Sequence, residues 1–115
     1  MGTKNRQSTK FCSNAQEEYI SKLLGGHKVA GSGSPNFCAG DVIIDDFLIE
    51  CKTSMKPKSS FSIKKDWIDK NERERKDSQL PYSALCFQFE PNGENYFVVN
   101  ERTFKILYEN LQENN

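Results

Sequence analysis

The sequence predicts a single α/β domain of sandwich form, with a mixed central sheet flanked by helices. Helical and strand-like periodicities alternate in the order α-β-β-β-α-β-β-α, with no internal repeat and no linker. A chain of 115 residues suits one domain and can bury roughly two-thirds of its unfolded surface. Apolar residues make up 36% of it and charged residues 28%, a globular composition and not a disordered one.

Residues 1–12 are polar and aperiodic and read as a frayed start. Ser13 can cap a helix over residues 14–24, in which Ala15, Tyr19, Ile20, Leu23 and Leu24 fall near one side. Gly25-Gly26 stops it. A short extended run over 27–30 leads into the polar loop Gly31-Ser32-Gly33-Ser34-Pro35. Two β-rich runs, 41–44 and 47–53, flank Asp45-Asp46 and read as a hairpin, although Asp-Asp is a poorer turn than Asp-Gly. Residues 55–60 form a basic loop, and Ser62 can cap a helix over 63–76 that uses Ile63, Trp67 and Ile68 as apolar contacts. Residues 85–89 read as a buried strand, Pro91-Asn92-Gly93-Glu94 as a turn and 96–99 as the partner strand. An amphipathic helix over 101–111 follows, with Phe104, Leu107, Tyr108 and Leu111 turned inward.

Several classes of function are disfavoured. No apolar run approaches the ~20 residues of a membrane span, and the start MGTKNRQSTK lacks an apolar signal core. The chain is therefore expected to stay in the cytoplasm, where it is made. Cys12, Cys38, Cys51 and Cys86 are widely spaced and His27 is the lone histidine, which does not suit structural zinc. Four reduced thiols are expected, with Cys51 and Cys86 as core fillers. Formal net charge is zero, unlike that of a polycationic nucleic-acid binder. Residues 52–76 nevertheless carry nine basic and four acidic side chains, a net of +5, whereas 90–115 carry a net of −3. That basic segment suits phosphate contacts or, equally, a solvated helix face.

The hairpin carries the chemistry. Centred on Asp45/Asp46, it pairs Ile44 with Phe47, Ile43 with Leu48 and Asp41 with Glu50. Directly opposed side chains share a face, with Cβ atoms about 4.5–5.5 Å apart. Alternation adds Lys52 to the face of Glu50 and sends Val42, Ile44, Phe47, Ile49 and Cys51 to the other, an apolar core face. Two opposed carboxylates repel unless a cation lies between them. Oxygen ligands favour Mg²⁺, with Mn²⁺ able to substitute, and the Cys51 carbonyl can complete the set. This chemistry suits phosphodiester hydrolysis: the metal activates water and stabilises the leaving oxygen, while Lys52 orients or deprotonates the attacking water.

Asp41, Glu50 and Lys52 resemble the core motif of the PD-(D/E)XK nucleases, D…(D/E)-x-K on a β-hairpin. Over roughly residues 13–110 the chain is most similar to the archaeal-type Holliday junction resolvases and their phage relatives. The resemblance begins at Asn14-Ala15-Gln16-Glu17 with Ile20 and Leu24, and it implies that Glu17, on the first helix, joins the metal site. It implies a phosphate-holding serine in the Gly31–Ser34 loop, Ser34 matching best and Ser32 next. Ser60-Phe61-Ser62-Ile63-Lys64-Lys65 is similar to the start of the family's next helix. Gly40 stands where the motif name has proline, and the Gly/Ser loop lacks extra basic residues that many archaeal members carry. The resemblance implies a restriction-endonuclease-like fold and a Mg²⁺-dependent endodeoxyribonuclease cutting branched DNA as a homodimer, since resolving a four-way junction takes two symmetric cuts.

Lys56 and Lys58 in the loop, and Lys64 and Lys65 on the helix, are the further candidates for DNA-backbone contact. Solvated lysines are the plain alternative. Gln88 is expected to make a structural hydrogen bond, and Trp67 to lie in the core or a dimer interface. Two other functions fit the same residues: a nuclease of this fold acting on nicked, flapped or linear duplex DNA, and a catalytically silent DNA-binding protein.

Overall fold

The computed structural model describes residues 15–28 and 40–114. Strands β1 (His27–Lys28), β2 (Gly40–Ile44), β3 (Phe47–Thr53), β4 (Tyr82–Gln88) and β5 (Asn95–Val98) form one sheet in the order β1-β2-β3-β4-β5. The β3–β4 pair is parallel and the other three pairs are antiparallel. A parallel pair needs a long crossover, which here contains helix α2 (Lys65–Asp77). Helix α1 (residues 15–24) precedes the sheet, and α3 (Glu101–Glu113) follows it. The fold is α/β with a mixed sheet, as the periodicities predict.

The β2–β3 register is the predicted one: Asp41 faces Glu50, Ile43 faces Leu48 and Ile44 faces Phe47. Asp45 makes the tight turn at φ 51, a left-handed conformation that aspartate tolerates because its short side chain can bond locally. On one sheet face Val42, Ile44, Ile49, Cys51, Ala84 and Cys86 enclose Ile20 of α1. Cys51 and Cys86 are free thiols buried in this core, as expected of small apolar fillers. Gln88 is buried and structural, donating to the Gly93 carbonyl at 3.1 Å and accepting from Thr53 Oγ1 at 2.8 Å.

Both terminal helices are rotated from the apolar faces expected of them. On α1 the buried residues are Gln16, Glu17 and Ile20, while Tyr19, Leu23 and Leu24 are exposed. The cause is a polar anchor: Gln16 Nε2 donates to the carbonyls of Lys52 at 3.0 Å and Cys86 at 3.2 Å. On α3, Asn100 caps the helix by accepting from the Thr103 N–H at 2.9 Å, and Thr103 is the buried residue. That phase leaves Phe104 and Leu111 60% and 63% exposed, with Leu107 and Tyr108 also outward. The predicted inward set is thus an uncovered apolar face.

Helix α2 begins two residues later than expected, and its N-cap is Lys64 with no side-chain cap bond. Ser62 does not cap it. The Phe61 ring stacks on Phe87 at 5.1 Å, drawing the chain across the sheet before helix can form. Ile63 and Ile68, expected as contacts, remain exposed. Strand β4 starts earlier than expected because Tyr82 pairs with Phe47, their rings 5.1 Å apart.

Helix α1 ends at Gly25, whose φ of 76 is the left-handed conformation of a helix C-terminus. A Cβ on the next residue, Gly26, would lie 2.6 Å from the Ile43 carbonyl and collide with the Ile44 side chain. Gly26→Ala is therefore expected to lower stability by about 1–3 kcal/mol, measurable as a shift of the urea midpoint at constant slope.

Candidate active site

Strand alternation puts Leu48, Glu50 and Lys52 on the sheet face opposite the Ile20 core. Helix α2 covers this face. Glu50 is 1% exposed and Lys52 9%. Lys70 of α2 brings its Nζ to 3.8 Å from Glu50 Oε1 and to 3.9 Å from Glu74 Oε1. Lys52 Nζ sits 4.4 Å above the Trp67 ring centroid, a cation–π contact that holds the amine on the Glu50 side of the strand. Trp67 is therefore not fully buried core but a half-buried platform against Lys52. Asn71 secures the helix by donating from Nδ2 to the Ala84 carbonyl at 3.0 Å.

Burial pushes the Glu50 carboxyl above its ordinary pKa. Lys52 and then Lys70 oppose that rise, and Glu74 adds to it. Glu50 Oε2 is buried without a hydrogen-bond partner among the described residues. A buried acceptor left this way is costly, and strand register sets Asp41 directly across from it. The side chain of Asp41 lies outside the described residues. Among those that are described, no three His, Cys, Asp or Glu side chains come together.

The orphan carboxylate oxygen and the opposed acid fit a small divalent cation. Asp41 and Glu50 would hold it, with the Cys51 carbonyl as a further oxygen ligand. No family model, curated protein or solved structure matches this chain.

Glu17 is 5% exposed whereas Glu18 is exposed, so Glu17 is the inward carboxylate of α1, as the residue spacing suggests. It stands on the helix that covers the apolar face, next to Gln16, whose amide holds the Lys52 carbonyl. Ser32 and Ser34 lie outside the described residues. Lys56, Lys58 and Lys64 line a cleft of about 710 Å³ together with Phe61 and Trp67. Lys65 does not; it is exposed and bound to Asp69 at 2.8 Å, an i,i+4 surface pair of small energetic weight.

Lys70, Trp67 and Gln16 are the site residues that sequence reasoning missed. A signal for two of them exists. Trp67, Lys70, Asn71 and Glu74 recur at i, i+3, i+4 and i+7, the spacing of a face that meets a partner, but written mostly in polar residues. Such a stripe reads as solvated until an acid such as Glu50 is known to lie beneath it.

Proposed function

We propose that this protein is a Mg²⁺-dependent endodeoxyribonuclease of the restriction-endonuclease-like fold, cutting branched DNA as a homodimer. The observation that carries the reading is the buried Glu50, its Oε2 without a hydrogen-bond partner among the described residues, directly opposite Asp41 in register and beside Lys52. When bound, Mg²⁺ supplies Lewis-acid activation of water and charge neutralisation at the phosphate. The chain's own residues do the rest. Lys52, steadied by Trp67, orients the attacking water and offsets charge on the phosphorane. Ser34, with Ser32 as the alternative, holds the phosphate, whereas Glu17, which the resemblance would add, stands on the helix over the opposite face of the sheet. Lys56, Lys58 and Lys64 contact the backbone of the DNA, with Lys65 more peripheral. Two-fold symmetry supplies paired cuts, and the uncovered apolar face of α3 supports such an association.

The test is cleavage of a four-way junction against a linear duplex of the same sequence, with and without Mg²⁺. Junction cutting that requires Mg²⁺ and is lost in Lys52→Ala and Asp41→Asn, with DNA binding retained, is the expected result. Equal rates on both substrates would transfer the protein to the class of nucleases that act on other duplex DNA. One observation favours a second reading: Lys70 already provides Glu50 with a cation. A silent DNA-binding protein would bind junctions tightly and break no strand in Mg²⁺ or Mn²⁺.

A further inference from the structure

Five aromatic side chains form a continuous row that starts at Lys52. Lys52 is the register neighbour of Phe87, and Phe87 of Tyr96, so all three share a sheet face. Phe87 stacks on Tyr96 at 5.6 Å and on Phe61 at 5.1 Å, and Phe61 lies 6.2 Å from Trp67. Phe89 stands edge-on to Phe61, Phe87 and Tyr96. None of the five is fully buried, and Tyr96 is 43% exposed. Rings grouped for a core would be covered; these reach the surface.

Cations without carboxylates border the row. The cleft that contains Phe61 and Trp67 is lined by Lys56, Lys58 and Lys64, by serine and threonine hydroxyls, and by no acidic residue among those described. On a chain with as many acidic as basic residues, that separation selects a polyanion. The rings narrow the choice. An acidic peptide has no flat faces to stack, and a paired duplex keeps its base faces inside, whereas an unpaired strand offers both phosphates and open bases.

We infer that this cleft and its aromatic row bind an unpaired stretch of a DNA strand, phosphates on Lys56, Lys58 and Lys64 and bases against Trp67 and Phe61. That the bound strand is the one cut beside Lys52 rests on the nuclease reading; the binding itself does not.

Trp67 is the single tryptophan of the chain, so its emission reports directly on the cleft. Oligothymidylate titrated into the full chain in EDTA is expected to change that emission to saturation. A duplex of equal length should bind more weakly, and polyglutamate should leave the emission unchanged. Three phosphate contacts predict a log–log salt slope of about −2 for the single strand, falling by about 1.4 in the double variant Lys56→Gln/Lys58→Gln. Both lysines are exposed, so this variant tests the site even if a core-facing change unfolds it. Trp67→Leu, followed by anisotropy of a labelled strand, should weaken binding by roughly 5- to 150-fold. Equal affinity for duplex and single strand, unchanged emission at saturation, or an unaltered salt slope in the lysine variant would each overturn the inference. Branched-DNA cutting that persists without single-strand binding would remove the inference and leave the nuclease reading. Single-strand binding without cutting in Mg²⁺ would do the reverse.

Discussion

Glutamine in place of Glu50 is expected to abolish Mg²⁺-dependent cleavage and, in the same molecule, to raise the melting temperature of the metal-free protein. The two effects have one cause. Glu50 is 1% exposed, its Oε1 lies as far as 3.8 Å from the Lys70 ammonium, and its Oε2 has no hydrogen-bond partner among the described residues. Ionised there, it is a desolvated charge incompletely compensated. Glutamine keeps the shape, removes the charge and takes away an oxygen that would bind metal under the proposed function. Cleavage should fall by roughly a thousandfold or more, because the proposed function puts the residue where transition-state charge develops.

The pH dependence distinguishes this account from a simple packing effect. Burial raises the folded-state pKa of Glu50, with Lys52 and Lys70 opposing. A carboxyl with a raised folded pKa binds its proton more tightly in the folded state. Its contribution to stability is thus present below the unfolded value of 4.5 and is lost as pH rises through the raised folded value. The Glu50→Gln protein should melt a few degrees above the unmodified chain at pH 7 in EDTA. That gap should close as pH falls below the unfolded value, where Glu50 is protonated and resembles glutamine. Mn²⁺ should stabilise the unmodified chain by mass action and leave the variant unmoved. A variant that cuts at the normal rate, or that melts lower at pH 7, contradicts the assignment.

What could be seen in the sequence depended on whether a residue's role follows from local rules. The Asp41–Glu50 pairing did, because a two-residue turn at Asp45-Asp46 sets the register of everything behind it. So did the apolar face of Val42, Ile44, Ile49 and Cys51, since strand alternation has only two sides. The rotation of the helices did not. Hydrophobic periodicity predicts that α3 buries Phe104, Leu107, Tyr108 and Leu111, yet the Asn100 cap and buried Thr103 set its phase otherwise. The same failure hid the lid on the acid. Lys70 and Asn71 face the sheet through an ion pair with Glu50 and a hydrogen bond to the Ala84 carbonyl, interactions between elements that no one-helix pattern encodes. Glu50 was therefore identified correctly as an acid opposite an acid, while its burial under α2 was not foreseen.

Gln16→Ala is expected to cost about 2–4 kcal/mol of stability, through a buried cavity and two carbonyls stripped of a donor. Gln16 is 2% exposed, and its amide joins α1 to β3 and β4 at once, through the carbonyls of Lys52 and Cys86. Ile20→Ala is the control. Ile20 is fully buried on the same helix, and its truncation should cost a similar 2–5 kcal/mol without removing a hydrogen bond. The two variants separate anchoring the helix from positioning the site. At a temperature where both are folded, Ile20→Ala should retain most of its cleavage rate, because nothing about the Lys52 backbone has changed. Gln16→Ala should lose at least tenfold, because a small shift of a catalytic group costs far more in rate than in stability. Equal rate losses in the two variants would mean that Gln16 only holds α1 to the sheet. A loss confined to Gln16→Ala would make the amide of the first helix a positioning device for Lys52, acting through the strand backbone from the opposite face of the sheet.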